Sequence, residues 1–314
     1  MGANALRRVT LHPIVKCISL SRAVATSREL EDKALSGTAG GWGVVLGVSA
    51  GSGAAIARAL AKDPGLDIFG VHRGRHPDSA GAVARDLGAL GRKLHFRIGE
   101  AGTAESARAG AEEVLLVAGA RQVKVLVHSI ANASVGSLVT RGVTQLTPRQ
   151  IEKTFSSMAH SFVYWVQELA ARDLLAPSAR LIALTNPVVG SLCPGLGVIA
   201  ASKAALEVYV RQLAIELGPL GHRVNLVNFG LVDTRAGSVG FPSEAWEQAK
   251  ARAAAVTPAR RLCTVEEVGR LVSVLTGDAA EWFNGATIDF TGGMTQSLLG
   301  IVLNASGMDS NQGR

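Results

Sequence analysis

The sequence predicts a doubly wound α/β fold: a seven-stranded, mainly parallel sheet with helices on both faces. Two observations carry this expectation. From Trp42 onward, short apolar runs alternate with longer stretches of helical period, the pattern of a parallel sheet covered on both sides. The 314 residues are 47% hydrophobic and 18% charged, enough for a well-buried core, and 36 glycines against 4% aromatics suit a glycine-turned α/β chain better than an aromatic-rich sandwich.

The elements follow in order. GVVLG (43–47) reads as the first strand and AAIARALAK (54–62) as the first helix. DIFGVH (67–72), a helix around 79–90 and KLHFRI (93–98) come next, then a helix over roughly 103–119 and the strand VKVLVHS (123–129). One long helix is predicted over 148–174, with ARLIALT (179–185) as the fifth strand. Helix 200–217, strand RVNLVNF (223–229), helix 264–275 and strand ATIDFTG (286–292) complete the sheet. No repeat and no second domain are evident. The longest apolar runs, broken by Ser, Gly or charge, are too short to span a membrane.

The ends differ from this body, giving a division into a basic arm and linker (1–41), the main domain (42–296) and a tail (297–314). Arg7, Arg8, Lys16, Arg22 and Arg28 precede the first acid, Glu29, and Ser36–Gly41 reads as a linker. An Arg- and Ser-rich, acid-free start suits either a surface arm or an organelle transit segment. Cys17, Cys193 and Cys263 lie far apart, with no metal-ligand spacing and no disulfide framework, so no metal is expected. A reducing compartment follows: the cytoplasm, or a mitochondrion or plastid if the arm is a targeting segment. The net charge of +7 is scattered, without a Lys/Arg block, which argues against nucleic acid and for an acidic or phosphate-bearing ligand.

The first strand runs into GVSAGSGAAIARAL, a turn that carries Gly47, Ser49, Gly51, Ser52 and Gly53. Glycines there allow a tight strand-to-helix turn and let backbone N–H groups approach a phosphate, with the helix N-terminus aimed at it. The second strand ends in His72, Arg73, Gly74 and Arg75. An acid at that point would receive ribose hydroxyls, whereas arginine accommodates a 2′-phosphate, so Arg73 and Arg75 point to NADP(H) in preference to NAD(H). Solvated loop arginines are the plainer alternative.

With these motifs in sequence, the chain resembles the short-chain dehydrogenase/reductase superfamily, with its Rossmann-type fold, and within it the bacterial enoyl-acyl-carrier-protein reductases. The resemblance covers roughly 42–296. It rests on the glycine turn, VHSIANA (127–133), the helix and strand over 201–230, and TPARRLCTVEEVGRLVSVL (257–275) ending in IDFTGG (288–293). It implies that Ser129, Ile130 and Ala131 line the cofactor groove and that Lys203 hydrogen-bonds the nicotinamide ribose. It also implies that Val232 and Thr234, in GLVDT (230–234), stand near the pyrophosphate or carboxamide. Phe229 departs from the family's residue just before that loop.

The family's tyrosines are replaced. Counted back from Lys203, the superfamily spacing lands on Ile199, the enoyl reductase spacing on Leu196, and that branch's second tyrosine on Asn186. Leu196 and Ile199 cannot donate a proton; Asn186 could donate an amide N–H to a substrate carbonyl. Cys193 reads as pocket lining, with Leu196 and Ile199, and His128 as a strand-end residue with a proton-transfer role as the alternative. Tyr209 points to another helix face than Lys203, and Tyr164 reads as core or interface.

The resemblance implies an NADPH-dependent reductase of an activated double bond or carbonyl, on an acyl thioester of acyl-carrier protein or coenzyme A, with an atypical proton donor. The competing reading is an inactive cofactor-binding subunit with a structural or regulatory role in a larger assembly. A homodimer or homotetramer is expected, because Phe155, Phe162, Trp165, Tyr209 and Leu213 look like more apolar surface than one sheet face needs.

Overall fold

The computed structural model describes residues 40–140, 145–190, 192–238 and 242–297. Most of the basic arm, all but the first residue of the tail, and Cys17 lie outside them.

Seven strands form one sheet in the order β3-β2-β1-β4-β5-β6-β7. They are β1 Gly41–Leu46, β2 Leu66–His72, β3 Leu94–Ile98, β4 Val123–His128, β5 Leu175–Thr185, β6 Arg223–Phe229 and β7 Thr287–Phe290. Every neighbouring pair is parallel, so all seven strand ends with the same polarity share one edge. The chain winds outward from β1 to β3, then returns to β4 on the other side of β1. That reversal opens a crevice at the carboxyl ends of β1 and β4.

The helices cover both faces. On one lie α1 Gly51–Leu60, α2 Pro77–Ala89 and α8 Val265–Leu275. On the other lie α3 Ala104–Ala118, α4 Pro148–Phe155, α5 Ser161–Ala171 and α6 Gly197–Leu217; α7 is Ser243–Val256. Strand residues alternate between the two cores. Val45, Val125, Ile182 and Val227 pack with Ile56, Leu60, Val83, Leu87, Val268 and Val272. Leu46, Leu126, Leu181 and Leu226 pack with Val114, Phe162, Trp165, Leu206 and Val210. Both faces being apolar is why these strands read as unbroken apolar runs.

Local signals place the helix starts. Thr147 and Gln150 form a capping box before α4, with Pro148 in its first turn, and Thr264 and Glu267 form another before α8. The predicted single helix over 148–174 is instead two α-helices joined by a π-helical turn at Ser156–His160. Side chains bond backbone around it: Thr154 Oγ1–H donates to the Gln150 carbonyl and Ser161 Oγ–H to the Ser157 carbonyl, both at 2.8 Å. Ser156 Oγ–H reaches out to the Gly102 carbonyl at 2.7 Å. β5 starts at Leu175, before its predicted first residue, because the pairing with β4 skips register between Val123 and Val125 and Ser178 takes a left-handed φ of 56°.

The helix residues expected to form an association surface are largely core. Phe162 and Trp165 are fully buried and Leu213 is buried, all in the cluster under α3, α5 and α6. The sheet face uses them; among the described residues of α4, α5 and α6, the exposed large aliphatic side chains are Val208 and Ile215. No helix among the described residues is long and apolar enough to cross a membrane.

Trp165 joins α5 to the loop after β3, its Nε1–H donating to the Ala101 carbonyl at 3.0 Å within a fully buried ring site. Trp165→Ala is expected to lower the unfolding free energy by about 3–5 kcal/mol, read by urea denaturation; a change under about 1 kcal/mol would contradict this packing.

Candidate functional site

The crevice at the switch point is built on backbone contacts. Gly47 follows β1 with φ at +95°, and a Cβ on it would stand 2.3 Å from the Ser129 carbonyl oxygen. Gly53, in the first turn of α1, would place a Cβ 2.1 Å from the Gly47 carbonyl oxygen. Neither position accepts a side chain without moving backbone. Ser129 N–H donates to the Leu46 carbonyl at 3.0 Å and Gly47 N–H to the Val71 carbonyl at 2.9 Å, so β1, β2 and β4 are clamped at the same level. α1 begins without a side-chain cap and without an acid in its first turn. Its leading N–H groups and positive dipole end are therefore left for an anion.

A cleft of about 280 Å³ opens beside this turn. Gly47 and Ser49 line it from the turn, Arg73 and Arg75 from the end of β2, and Ser129, Ile130 and Ala131 from the end of β4. Gly51, Ser52 and Gly53 form the adjoining helix start without lining the cleft. Thr234 stands against that start, its Cγ2 3.4 Å from where a Cβ on Gly51 would lie, while Val232 is buried in the core. Arg73 Nη1–H donates to Asn132 Oδ1 at 2.7 Å, bridging the ends of β2 and β4. Burial, then the neighbouring Arg75 charge, pull the Arg73 guanidinium below its ordinary pKa.

The sequence reading named His72 at the end of the second strand and Glu100 after the third, both of which line the cleft, but missed Asn132, His76 and Arg235. Asn132 sits inside the VHSIANA motif. His76 and Glu100 follow strands β2 and β3, where a parallel sheet always places its ligand-facing loops. No sequence signal brings Arg235 to them, because the contact depends on how the loop after β6 folds back.

The second set of residues surrounds Lys203, which is buried rather than an exposed helix lysine. Its Nζ donates to the Leu184 carbonyl at 2.7 Å, and burial brings its pKa down to about 8. One donor is spent there and two remain. Nearby strand ends carry polar atoms with no hydrogen-bond partner: Thr185 Oγ1 and Asn228 Oδ1, on residues paired across β5 and β6. Asn186 follows; its Oδ1 accepts from Val188 N–H at 3.3 Å, and its NH2 retains two donors. Leu196 and Ile199 are half-buried at the start of α6, and Cys193 is exposed. The loop after β4 folds over this start. Gly136 N–H donates to the Gly195 carbonyl at 3.0 Å, and Leu138 Cδ1 lies 3.1 Å from where a Cβ on Gly197 would be.

His128 is fully buried at the end of β4, with Nε2 2.8 Å from Ser161 Oγ. Ser161 Oγ–H is committed to the Ser157 carbonyl, so His128 Nε2 is the donor and Nδ1 is unprotonated. Burial, then the Lys203 charge, push its pKa down to about 3. Tyr209 is engaged elsewhere, its hydroxyl 3.1 Å from His160 Nδ1, and Tyr164 stacks obliquely on the same imidazole. No cluster of three or more His, Cys, Asp or Glu side chains that could hold a metal occurs among the described residues.

The family model described as Enoyl-(Acyl carrier protein) reductase matches residues 47–295. 1-Cyclohexenylcarbonyl-CoA reductase of Streptomyces collinus is 26% identical over 252 residues, 80% of this chain and 86% of that protein. The NADH-named enoyl-[acyl-carrier-protein] reductase FabI of Escherichia coli K12 is 31% identical over 169 residues, 54% of this chain and 63% of its own length. Among solved structures, a short-chain dehydrogenase of Burkholderia cenocepacia in complex with NADP superposes with a TM-score of 0.70 at 26% identity, over 81% of this chain and 97% of that one.

His128 makes stability depend on acid. Its pKa lies at about 3 in the fold against 6.5 ordinarily, so in that window the unfolded chain holds the extra proton and stability falls as pH falls. In urea unfolding across the window, His128→Gln is expected to flatten the slope; an unchanged slope would remove His128 as its source. Gly53→Ala is expected to destabilise by about 1–3 kcal/mol in the same assay, since a backbone must move to admit the methyl.

Proposed function

The chain belongs to the enoyl-(acyl-carrier-protein) reductase family of the short-chain dehydrogenase/reductase superfamily, and from that premise we propose an NADPH-dependent reductase acting on an activated double bond or carbonyl of an acyl thioester. The observation that carries the cofactor half is the uncapped start of α1, which the close Gly47–Ser129 and Gly53–Gly47 backbone approaches hold at the edge of the cleft. Gly47, Ser49, Gly51, Ser52, Gly53 and Thr234 would hold the pyrophosphate, Ser129, Ile130, Ala131 and Val232 the groove toward the nicotinamide. Arg73 and Arg75 support NADP(H) over NAD(H), because no acid ends β2 where ribose hydroxyls would need one. Thr185 Oγ1 and Asn228 Oδ1, orphaned beside Lys203, suit the polar edge of a bound nicotinamide riboside.

When bound, the nicotinamide supplies the hydride that reduces the carbon β to the thioester carbonyl. The carbonyl oxygen gains negative charge, and this chain has to stabilise it without a tyrosine. Asn186 can turn its NH2 toward that oxygen, because its own oxygen is already used by Val188. Lys203, brought to about pKa 8 by burial, holds an acidic proton and two uncommitted donors close to the ends of β5 and β6. Both side chains are proposed as catalytic on this ground. Val135, Leu138 and Leu192, exposed beside Cys193, Leu196 and Ile199, would offer the acyl chain an apolar rim.

One observation favours the inactive-subunit reading. Neither Leu196 nor Ile199 bears a hydroxyl, and losing such a donor costs about 100- to 1000-fold in rate. The assay is single-turnover NADPH oxidation with a crotonyl thioester. The parent is expected to turn over slowly, and Lys203→Ala not at all. Leu196→Tyr is expected to raise the rate by about 100-fold or more, with Ile199→Tyr as the control at the other spacing. No turnover in the parent and no gain in Leu196→Tyr, with NADPH still bound, would establish the cofactor-binding subunit instead.

A further inference from the structure

Six buried side-chain nitrogen and oxygen atoms among the described residues have no hydrogen-bond partner, and three of them stand together: His128 Nδ1, Thr185 Oγ1 and Asn228 Oδ1. Each lies two residues beyond a core residue of one layer, Leu126, Ala183 or Leu226, so all three share the sheet face covered by α5 and α6. His128 pairs with Ala183 and Thr185 with Asn228, which makes them neighbours across β4, β5 and β6. Lys203 reaches the same place from α6, its Nζ bonded to the carbonyl of Leu184, the residue between Ala183 and Thr185.

The open nitrogen of His128 follows from its other one. Nε2 and the Ser157 carbonyl both lie 2.8 Å from Ser161 Oγ, and a carbonyl can only accept. The single Ser161 hydroxyl proton therefore goes to the carbonyl, Nε2–H donates to the hydroxyl, and Nδ1 keeps a lone pair. Leu46 and Ala183 beside the ring on the neighbouring strands, and Ser161 and Phe162 facing it from α5, are uncharged; the charge that reaches it is Lys203. Burial first and that charge second hold the imidazole neutral, against the pull of the His128 and Ser157 backbone carbonyls. The Ser157 carbonyl belongs to the π-helical turn, so this turn is what fixes the ring.

We propose that His128 is the positioning residue of Lys203: one water molecule accepts a second N–H of the ammonium and donates to His128 Nδ1 and to Thr185 Oγ1. The inference rests on the proposed function for what Lys203 does, and not for where its donors point. Three bonds to buried polar groups are the usual number for an internal water, and Ala183 contributes only a methyl group between His128 and the Leu184 carbonyl. Two fixed bonds, to that carbonyl and to the water, stop the ammonium rotating about its Cε–Nζ bond. The third N–H then has a single direction and is the donor left for a bound ligand, with the Thr185 hydroxyl proton and Asn228 Oδ1 beside it. Leu196 and Ile199 have no polar side-chain atom with which to take over this task.

The test is NMR of the full chain with isotope-labelled histidine and lysine, with neither dinucleotide nor thioester added. In the parent, the His128 Nδ1 shift is expected to be that of an unprotonated nitrogen accepting a hydrogen bond. His128→Gln puts an amide at the level of Nε2, which keeps the Ser161 contact and removes the acceptor facing Lys203. Its Lys203 ammonium is expected to have an acid dissociation constant about tenfold larger, because the charged form has lost an acceptor, and to exchange protons with water about tenfold faster. His128→Asn, whose amide stands at the level of Nδ1, is expected to restore most of both. A protonated Nδ1, or a lone pair that accepts nothing, overturns the inference in the parent chain itself, whether or not a variant folds. So does a Lys203 ammonium that is unchanged in folded His128→Gln. A parent that turns over no thioester overturns the reductase reading and leaves these nitrogen signals to decide the positioning of Lys203.

Discussion

Gly47 can bear no side chain, because the Ser129 carbonyl occupies the place of its Cβ and the Gly53 backbone closes on its own carbonyl from the other side. These two close approaches set where α1 begins relative to β1 and β4. They draw the helix start down onto the strand ends, so that its uncapped N–H groups face the crevice left by the reversal of strand order. Without them the sheet could still form, since its cohesion lies in the two apolar layers. The crevice, however, would lose its floor, and Ser129, Ile130 and Arg73 would no longer line one cleft.

The sheet was legible because burial on both faces writes each strand as a short apolar run, and glycine or proline punctuates what lies between. All seven strands and the glycine turn were read from that pattern. The register skip in β5 was not, because it depends on Ser178, a residue type that gives no warning of a left-handed backbone. The π turn at Ser156–His160 was hidden for a related reason: its helical period continues across the turn, and only the serine hydroxyls bonding nearby carbonyls betray the extra residue. The misread association surface shows a different gap. Apolar content on a helix does not say how much of it the sheet will absorb, and a ring as large as Trp165 disappears entirely beneath α3.

The site was partly legible for the same kind of reason. Strand-end topology grouped Gly47, Ser49 and Arg73 and the family resemblance added Ser129, Ile130 and Ala131, and all six line one cleft. Asn132 lay in a motif already noted. Arg235 could not be grouped, because its approach to His76 crosses between chain segments that the strand pattern does not relate. The burial of Lys203 was equally unwritten: α6 mixes polar and apolar positions at its start, and only packing against β5 shows which face Lys203 shares.

That burial links the two halves of the site. An ammonium taken out of water is costly unless its donors are satisfied, and only one of them is, by the Leu184 carbonyl. The remaining cost appears as the fall of Lys203 to about 8, and as the Lys203 charge pressing on His128, which stays neutral and donates to Ser161. Beside them Thr185 Oγ1 and Asn228 Oδ1 are left without partners. These atoms leave hydrogen-bonding capacity at the paired ends of β5 and β6, next to Lys203 through Leu184, that a polar ligand is able to complete. Positions 196 and 199 carry no hydroxyl, so in the reaction proposed above the proton is assigned to Lys203 and only a hydrogen bond to Asn186.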